Sequence, residues 1–131
     1  GGSSEGEMWL HGSLRHPNVV CLREAFDDLE YVSLVMELCQ GGDLLDHVQQ
    51  HAKLHNHGLF ERDARAVAAQ LFSALSYLHH QRIVHRDVKC ENVFVLEQNG
   101  SRPLHECTFK LGDFGFARKL LPDEVLLIGV G

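Results

Sequence analysis

His85-Arg86-Asp87-Val88-Lys89-Cys90-Glu91-Asn92 and, further on, Asp113-Phe114-Gly115 are the two runs on which the architecture turns. The first run gathers a carboxylate, an ammonium and a carboxamide between two short β-type runs, Ile83-Val84 and Val93 to Leu96. A third β-type run, Thr108 to Leu111, leads into the second acidic stretch. Glu97 to Glu106, with Asn99-Gly100 inside it, reads as the long loop joining the last two strands. Taken singly, each charge here is what a solvated loop carries. Their order, and the elements around them, carry the information.

Upstream of these runs, residues 61–80 have the strongest helical pattern in the chain. Ala64, Val67, Ala68, Leu71, Leu75 and Leu78 fall on one face. Gln40-Gly41-Gly42-Asp43 interrupts the chain before that helix. Asp43 has the side chain of an N-cap, which predicts a short helix from Leu44 to Gln50. Residues 51–58 are polar and His-rich and read as a loop. Val19 to Leu22 and Tyr31 to Leu38 are β-rich, with Phe26 to Glu30 as the turn of a hairpin. A short helix is expected over 7–14, ended near Arg15-His16-Pro17-Asn18 because Pro17 disfavours the helical region at His16. Residues 1–6 read as a flexible edge.

A chain of 131 residues suffices for one small domain with a core. Hydrophobic content of 44% and charged content of 23% are those of a globular protein. A net charge of -6, with no clustering of Lys and Arg, argues against a nucleic-acid partner. The longest strongly apolar stretch, Val125 to Val130, falls far short of the ~20 residues of a membrane span, so no membrane partner is expected. No signal-peptide leader is visible. Cys21, Cys39, Cys90 and Cys107 are widely spaced, which favours free thiols and a cytoplasmic or nuclear location. His47, His51 and His55 recur every four residues, with His57 close by. On a helix they would share a face, so a metal site competes there with a plain polar loop.

The two opening runs, H-R-D-x-K-x-x-N and then D-F-G, resemble the signature of the protein kinase family. Leu34-Val35-Met36-Glu37-Leu38-Cys39-Gln40-Gly41-Gly42-Asp43-Leu44 resembles the family's strand that runs into the hinge between its two lobes. The resemblance covers residues 7–120. It implies an α+β, protein-kinase-like fold, in part: an N-lobe remnant over 7–38, the hinge over 39–43, and the first part of the helical C-lobe over 44–120. Residues 121–131 are then a divergent tail. A Lys two residues after the loop Asp is the pattern of Ser/Thr kinases. The hinge and the Asp-Phe-Gly-Phe-Ala run resemble the calcium/calmodulin-dependent kinase-like group.

The resemblance implies ATP and Mg²⁺ as cofactors and a protein substrate phosphorylated on Ser or Thr. Such transfer rests on positioning and charge neutralisation. By the same resemblance Asp87 lies near the attacking hydroxyl, and Lys89 places positive charge on the migrating phosphoryl group. Asn92 and Asp113 offer Mg²⁺ the oxygen ligands a hard cation requires. Arg86 takes the place that pairs with a phosphate on the activation segment. His85 is read as packing. Met36 stands at the gatekeeper position, and the backbones of Glu37 and Cys39 would meet the adenine. Leu44 and Phe94 match positions below the ring. Asp43 and Glu91 match acidic positions that bind Arg of basophilic substrates, with an N-cap as the plainer role for Asp43. Glu7, by its spacing from Pro17, matches the helix Glu that holds the ATP-anchoring Lys. His11 stands where the family usually has an apolar residue of the stack linking the lobes, while Leu22, His85 and Phe114 fit the other places.

No G-x-G-x-x-G stretch or V-A-I-K-like Lys precedes residue 7, no A-P-E follows Asp-Phe-Gly, and no Ser or Thr follows Thr108. The expectation is therefore a kinase fragment that is inactive alone. An open strand edge and an uncovered helix face would leave it marginally stable. The alternative is a non-catalytic, truncated kinase-like interaction module.

Overall fold

The computed structural model describes residues 11–114 and 117–119. The helix expected over 7–14 lies largely outside them, and its described end, His11-Gly12, is helical. Strand β1 (Leu22–Asp27) pairs antiparallel with β2 (Val32–Met36), with a bulge between Leu22 and Glu24. The Asp28 carboxylate closes the turn by accepting from the amides of Glu30 at 2.8 Å and Tyr31 at 2.9 Å. Those two bonds hold its pKa below the ordinary value.

The hairpin is shifted from the expected one. Val19 and Val20 leave it and join the far strand: Val19 bridges Leu111 in parallel, and the Val20 amide donates to the Leu111 carbonyl at 2.9 Å. Consecutive valines suit a site buried on both faces, and they are 2% and 5% exposed. The more polar run Arg23 to Asp27 supplies the solvated strand instead.

Residues 40–42 zip onto β4 (Val93–Val95). Gln40 donates to the Leu96 carbonyl at 3.1 Å, Gly41 to Val95 at 2.9 Å, and Val95 to Gly42 at 2.8 Å. A Cβ on Gly41 would lie 2.6 Å from both the Glu97 carbonyl oxygen and the Val95 Cβ, so only glycine allows this approach. Gly42 turns the chain with φ +72°. The Asp43 carboxylate then accepts from the Asp46 amide at 3.0 Å and starts helix α1 (Leu44–His55).

Helix α1 overruns its expected end at Gln50, so residues 51–55 are helical rather than loop. A left-handed Asn56 (φ 59°) caps it, its amide donating to Ala52, with Lys53 and His55 in the last turn. Polar composition does not stop a helix when a left-handed cap and C-terminal cations complete it.

Helix α2 (Glu61–His80) buries Val67, Ala74 and Leu78, with Leu71 and Leu75 half-buried against the same core. Ala64, expected on that face, is exposed. Strand β3 (Ile83–Val84) pairs with β6 (Arg118–Lys119), and β4 pairs with β5 (Phe109–Leu111), both antiparallel. Phe109 and Leu111 are fully buried.

Side-chain amides bolt β5 to α2. Gln70 Oε1 accepts from the Phe109 amide at 2.8 Å and from Asn18 Nδ2 at 2.8 Å, while Gln70 Nε2 donates to the Cys107 carbonyl at 3.0 Å. Asn18 Nδ2 also donates to the Phe109 carbonyl at 2.9 Å. The strand that leads into Asp113 is therefore fixed from two directions, with its polar groups satisfied. All four cysteines are free.

Candidate active site

The loop after β3 is built around His85, which is 2% exposed. Its Nδ1 accepts from the Asp87 amide at 3.1 Å and its Nε2 donates to the Gly112 carbonyl at 2.7 Å. Those two bonds select the neutral tautomer with the proton on Nε2. Burial pushes the His85 pKa below its ordinary 6.5, against the upward pull of the Gly112 bond and of the Asp87 and Asp113 carboxylates. The Phe114 ring lies 4.8 Å from His85, edge-on, and 4.6 Å from His11, centroid to centroid. His11 thus packs in the stack despite its polar ring, and its Nε2 bonds the Val20 carbonyl.

Asp87 is held on both carboxylate oxygens. Asn92 Nδ2 donates to its Oδ2 at 2.8 Å and to its backbone carbonyl at 2.8 Å, while Lys89 Nζ lies 3.4 Å from Oδ1. The Lys89 side chain is 50% exposed, so this pair adds little stability. Its value is positional. The Asn92 side chain spends its nitrogen on Asp87, so its carbonyl oxygen is the atom left to act as an acceptor.

The two sequence runs meet through the backbone, the Gly112 amide donating to the Asn92 carbonyl at 2.8 Å. Arg86 and Asp113 both adopt left-handed backbone, at φ 69° and 51°. Non-glycine residues rarely do so, and such conformations persist where the surroundings over-determine them.

Beside this loop is a cleft of about 420 Å³. Met36 lines it from the end of β2, Glu37 and Cys39 from the segment that follows, Phe94 from β4, and Asp113 from just past β5. Those five were expected from the sequence. Val20, Leu38 and Gly112 also line it and were not anticipated. Val20 could have been found only through its pairing with Leu111, which is remote in sequence. Gly112 is readable only in space: a Cβ there would stand 2.8 Å from the Phe94 ring and 3.3 Å from Val20. Burial raises the Cys39 thiol pKa, and the Glu37 carboxylate adds to this.

Leu44 does not reach the cleft. It is 4% exposed and packs in the core. Asp43 caps α1, the plainer of its two expected roles. Glu7 lies outside the described residues. Asp87, Lys89 and Asn92 cluster next to the cleft rather than lining it.

The histidines do not assemble as ligands. His47 Nε2 bonds the Gly41 carbonyl at 2.8 Å, and the rings of His51, His55 and His57 gather on Phe60 at 4.5, 5.1 and 5.6 Å. Among the described residues, no group of three His, Cys, Asp or Glu could hold a metal ion. No helix among them is long and apolar enough to cross a membrane.

Asp113 lines an apolar cleft, and the Gly112 amide before it is bonded to Asn92, whose side chain holds Asp87. The chain belongs to the protein kinase domain family, which matches residues 3–127. It is 44% identical over 114 residues to rat serine/threonine-protein kinase DCLK1, covering 86% of this chain and 24% of that protein. Mouse ribosomal protein S6 kinase alpha-2 is 37% identical over 114 residues, covering 87% of this chain and 14% of that protein. Calcium-dependent protein kinase 5 of Plasmodium berghei is 33% identical over 125 residues, covering 95% and 20%. The chain therefore spans less than a quarter of the length of these relatives. The eukaryotic-type Ser/Thr kinase resemblance and the α+β, partial kinase-like fold both stand on these matches.

Proposed function

We propose that this chain carries the nucleotide-holding and hydroxyl-orienting part of a Ser/Thr protein kinase, which moves the γ-phosphate of ATP to a Ser or Thr hydroxyl of a protein. One observation carries the reading: Asp87 is fixed by Asn92 and Lys89, while the Asn92 backbone carbonyl accepts from the amide of Gly112, the residue before Asp113. Both carboxylates lie near enough to His85 to act on its charge, and Asp113 also lines the apolar cleft.

The residues fit the implied cofactors. Val20, Met36, Leu38 and Phe94 give the cleft an apolar lining suited to a planar base. The Asp113 carboxylate and the side-chain carbonyl oxygen of Asn92 are hard oxygen donors, the type a magnesium ion takes. When bound, that ion supplies charge neutralisation on the phosphates. The chain's own residues do the rest. Asp87 accepts a hydrogen bond from the substrate hydroxyl and keeps it aimed. Lys89, half in solvent, has reach to follow developing negative charge. Segment 37–39 presents backbone groups to the base.

The substrate is a protein, and Asp43 and Glu91 suggest one with basic residues near its phosphosite. Asp43 Oδ1 is committed to capping α1, while Glu91 is exposed. Four free thiols fit a reducing compartment, the cytoplasm or nucleus. That Asp87, Lys89, Asn92 and Asp113 are all present favours this reading over a purely non-catalytic module.

The test is titration of the chain with a fluorescent ADP analogue, with and without Mg²⁺. Mg²⁺ should tighten binding, and Asp113→Ala should remove that gain, a loss of about tenfold or more. Binding of the analogue that is indifferent to Mg²⁺ in the unaltered chain rejects the proposal.

A further inference from the structure

Lys110 sits in the middle of β5, opposite Phe94 of β4. Its neighbours Phe109 and Leu111 point into the core at 0% exposure. Strand alternation sends Lys110 to the other face, toward the segment after β2. There it is 7% exposed, and its Nζ lies 3.0 Å from Glu37 Oε1. The same oxygen accepts from the Cys21 amide at 3.1 Å, and the Glu37 amide donates to the Cys21 carbonyl at 2.8 Å.

Glu37, which lines the cleft, is thus pinned by its carboxylate and by its amide. None of these bonds uses its backbone carbonyl. A buried ion pair is weak evidence for stability, since an apolar pair of similar volume does as well, so its presence calls for a positional reason. This one joins two cleft walls that belong to distant parts of the chain: residue 37 from the segment after β2, and the strand that continues into Gly112 and Asp113.

We infer that Lys110 and Glu37 are positioning residues, a buried clamp that fixes the backbone of residues 37–39 against β5 so that the cleft accepts an adenine ring. The inference rests on the nucleotide reading above and deepens it. The clamp acts on the base end of the cleft, because Glu37 belongs to the wall that residues 36–39 form, and Lys110 holds it from β5. The triphosphate end, governed by Asn92 and Asp113, is reached only through the strand.

Adenosine and magnesium tripolyphosphate, titrated separately into the 131-residue chain, probe the two ends. Lys110→Met should weaken adenosine binding about tenfold, the factor that accompanies 1.4 kcal/mol, while leaving tripolyphosphate binding within about twofold. Lys110→Arg, which keeps the charge, should recover most of the adenosine affinity. Glu37→Gln keeps an acceptor for the Cys21 amide but loses the charge, so it should weaken adenosine in the same way. It decides the matter if Lys110→Met fails to fold. Unchanged adenosine affinity in folded variants overturns the clamp and leaves the nucleotide reading standing. Equal loss for both probes also overturns it, since that is general loosening. An unaltered chain that binds no adenosine overturns the clamp and the nucleotide reading together.

Discussion

Single side chains in this protein act through what they are bonded to, and His85 is the clearest case. Both of its ring nitrogens are engaged, one as acceptor from Asp87 and one as donor to Gly112, so a second proton has nowhere to go without breaking the loop. Its folded pKa lies below the ordinary 6.5. The unfolded chain therefore takes up the proton first on acidification, and the sign follows: stability is intact above pH 6.5 and is lost as pH falls from there through the folded pKa. His16 is shifted the same way, by burial and then by the Lys110 charge. We expect the melting temperature to drop between about pH 7 and pH 5.5, with a shallower slope in His85→Asn. A melting temperature flat across that range contradicts it. Gly41 is constrained by space instead. Gly41→Ala would press a methyl into the Val95 side chain and the Glu97 carbonyl, and should cost about 1–3 kcal/mol in urea unfolding. The residues of the loop after β3 were legible in the sequence because their signature is local. Val20, Leu38 and Gly112 were not, because the cleft they line is defined by contacts between strands that are remote in the chain.

At the scale of elements, the long helix and the short strands β3 to β5 were read to within a residue, whereas the end of α1 and the first strand of the hairpin were displaced. The 3.6-residue period of α2 shows in its own sequence, and Val67, Leu71, Leu75 and Leu78 face the core as that period requires. The end of α1 was missed since a left-handed Asn56 is a backbone conformation that composition does not reveal. Strand partners were harder still, as Val19 and Val20 suit either hairpin or core. Two substitutions test how the elements are joined. Asp43→Ala removes the amide acceptor that starts α1 and should cost about 1 kcal/mol, read by chemical denaturation. Gln70→Leu strips partners from the Phe109 amide and from Asn18, and should cost about 2 kcal/mol or more. If Gln70→Leu proves as stable as the unaltered protein, the α2–β5 bolt has been overvalued.

Across the whole molecule, several large apolar side chains stand in water. Phe72 on the outer side of α2 is 69% exposed, and Leu29, Tyr31, Leu54 and Phe60 are also exposed. An apolar side chain gains roughly 1.5–3 kcal/mol when it is buried, so these groups favour association. The 131-residue chain on its own should bind a hydrophobic dye and sediment with concentration-dependent mass. Phe72→Ser should reduce both effects. A single monomeric boundary at all concentrations, together with a sharp melt, would show the folded chain to be self-sufficient.

The order of residues alone determined the chemistry on offer: which carboxylates, which ammonium and which amide stand in which loops, and which helix has an apolar face. Those features are set by neighbours a few positions away, where chain connectivity fixes geometry. Tertiary structure alone decided that residues 40–42 zip to β4, that Val20 and Phe94 line the same cleft as Asp113, and that Lys110 meets Glu37. Those contacts join segments far apart in sequence. They arise from burial and from the satisfaction of polar groups, which depend on the whole packed arrangement and leave no periodic mark in any one segment.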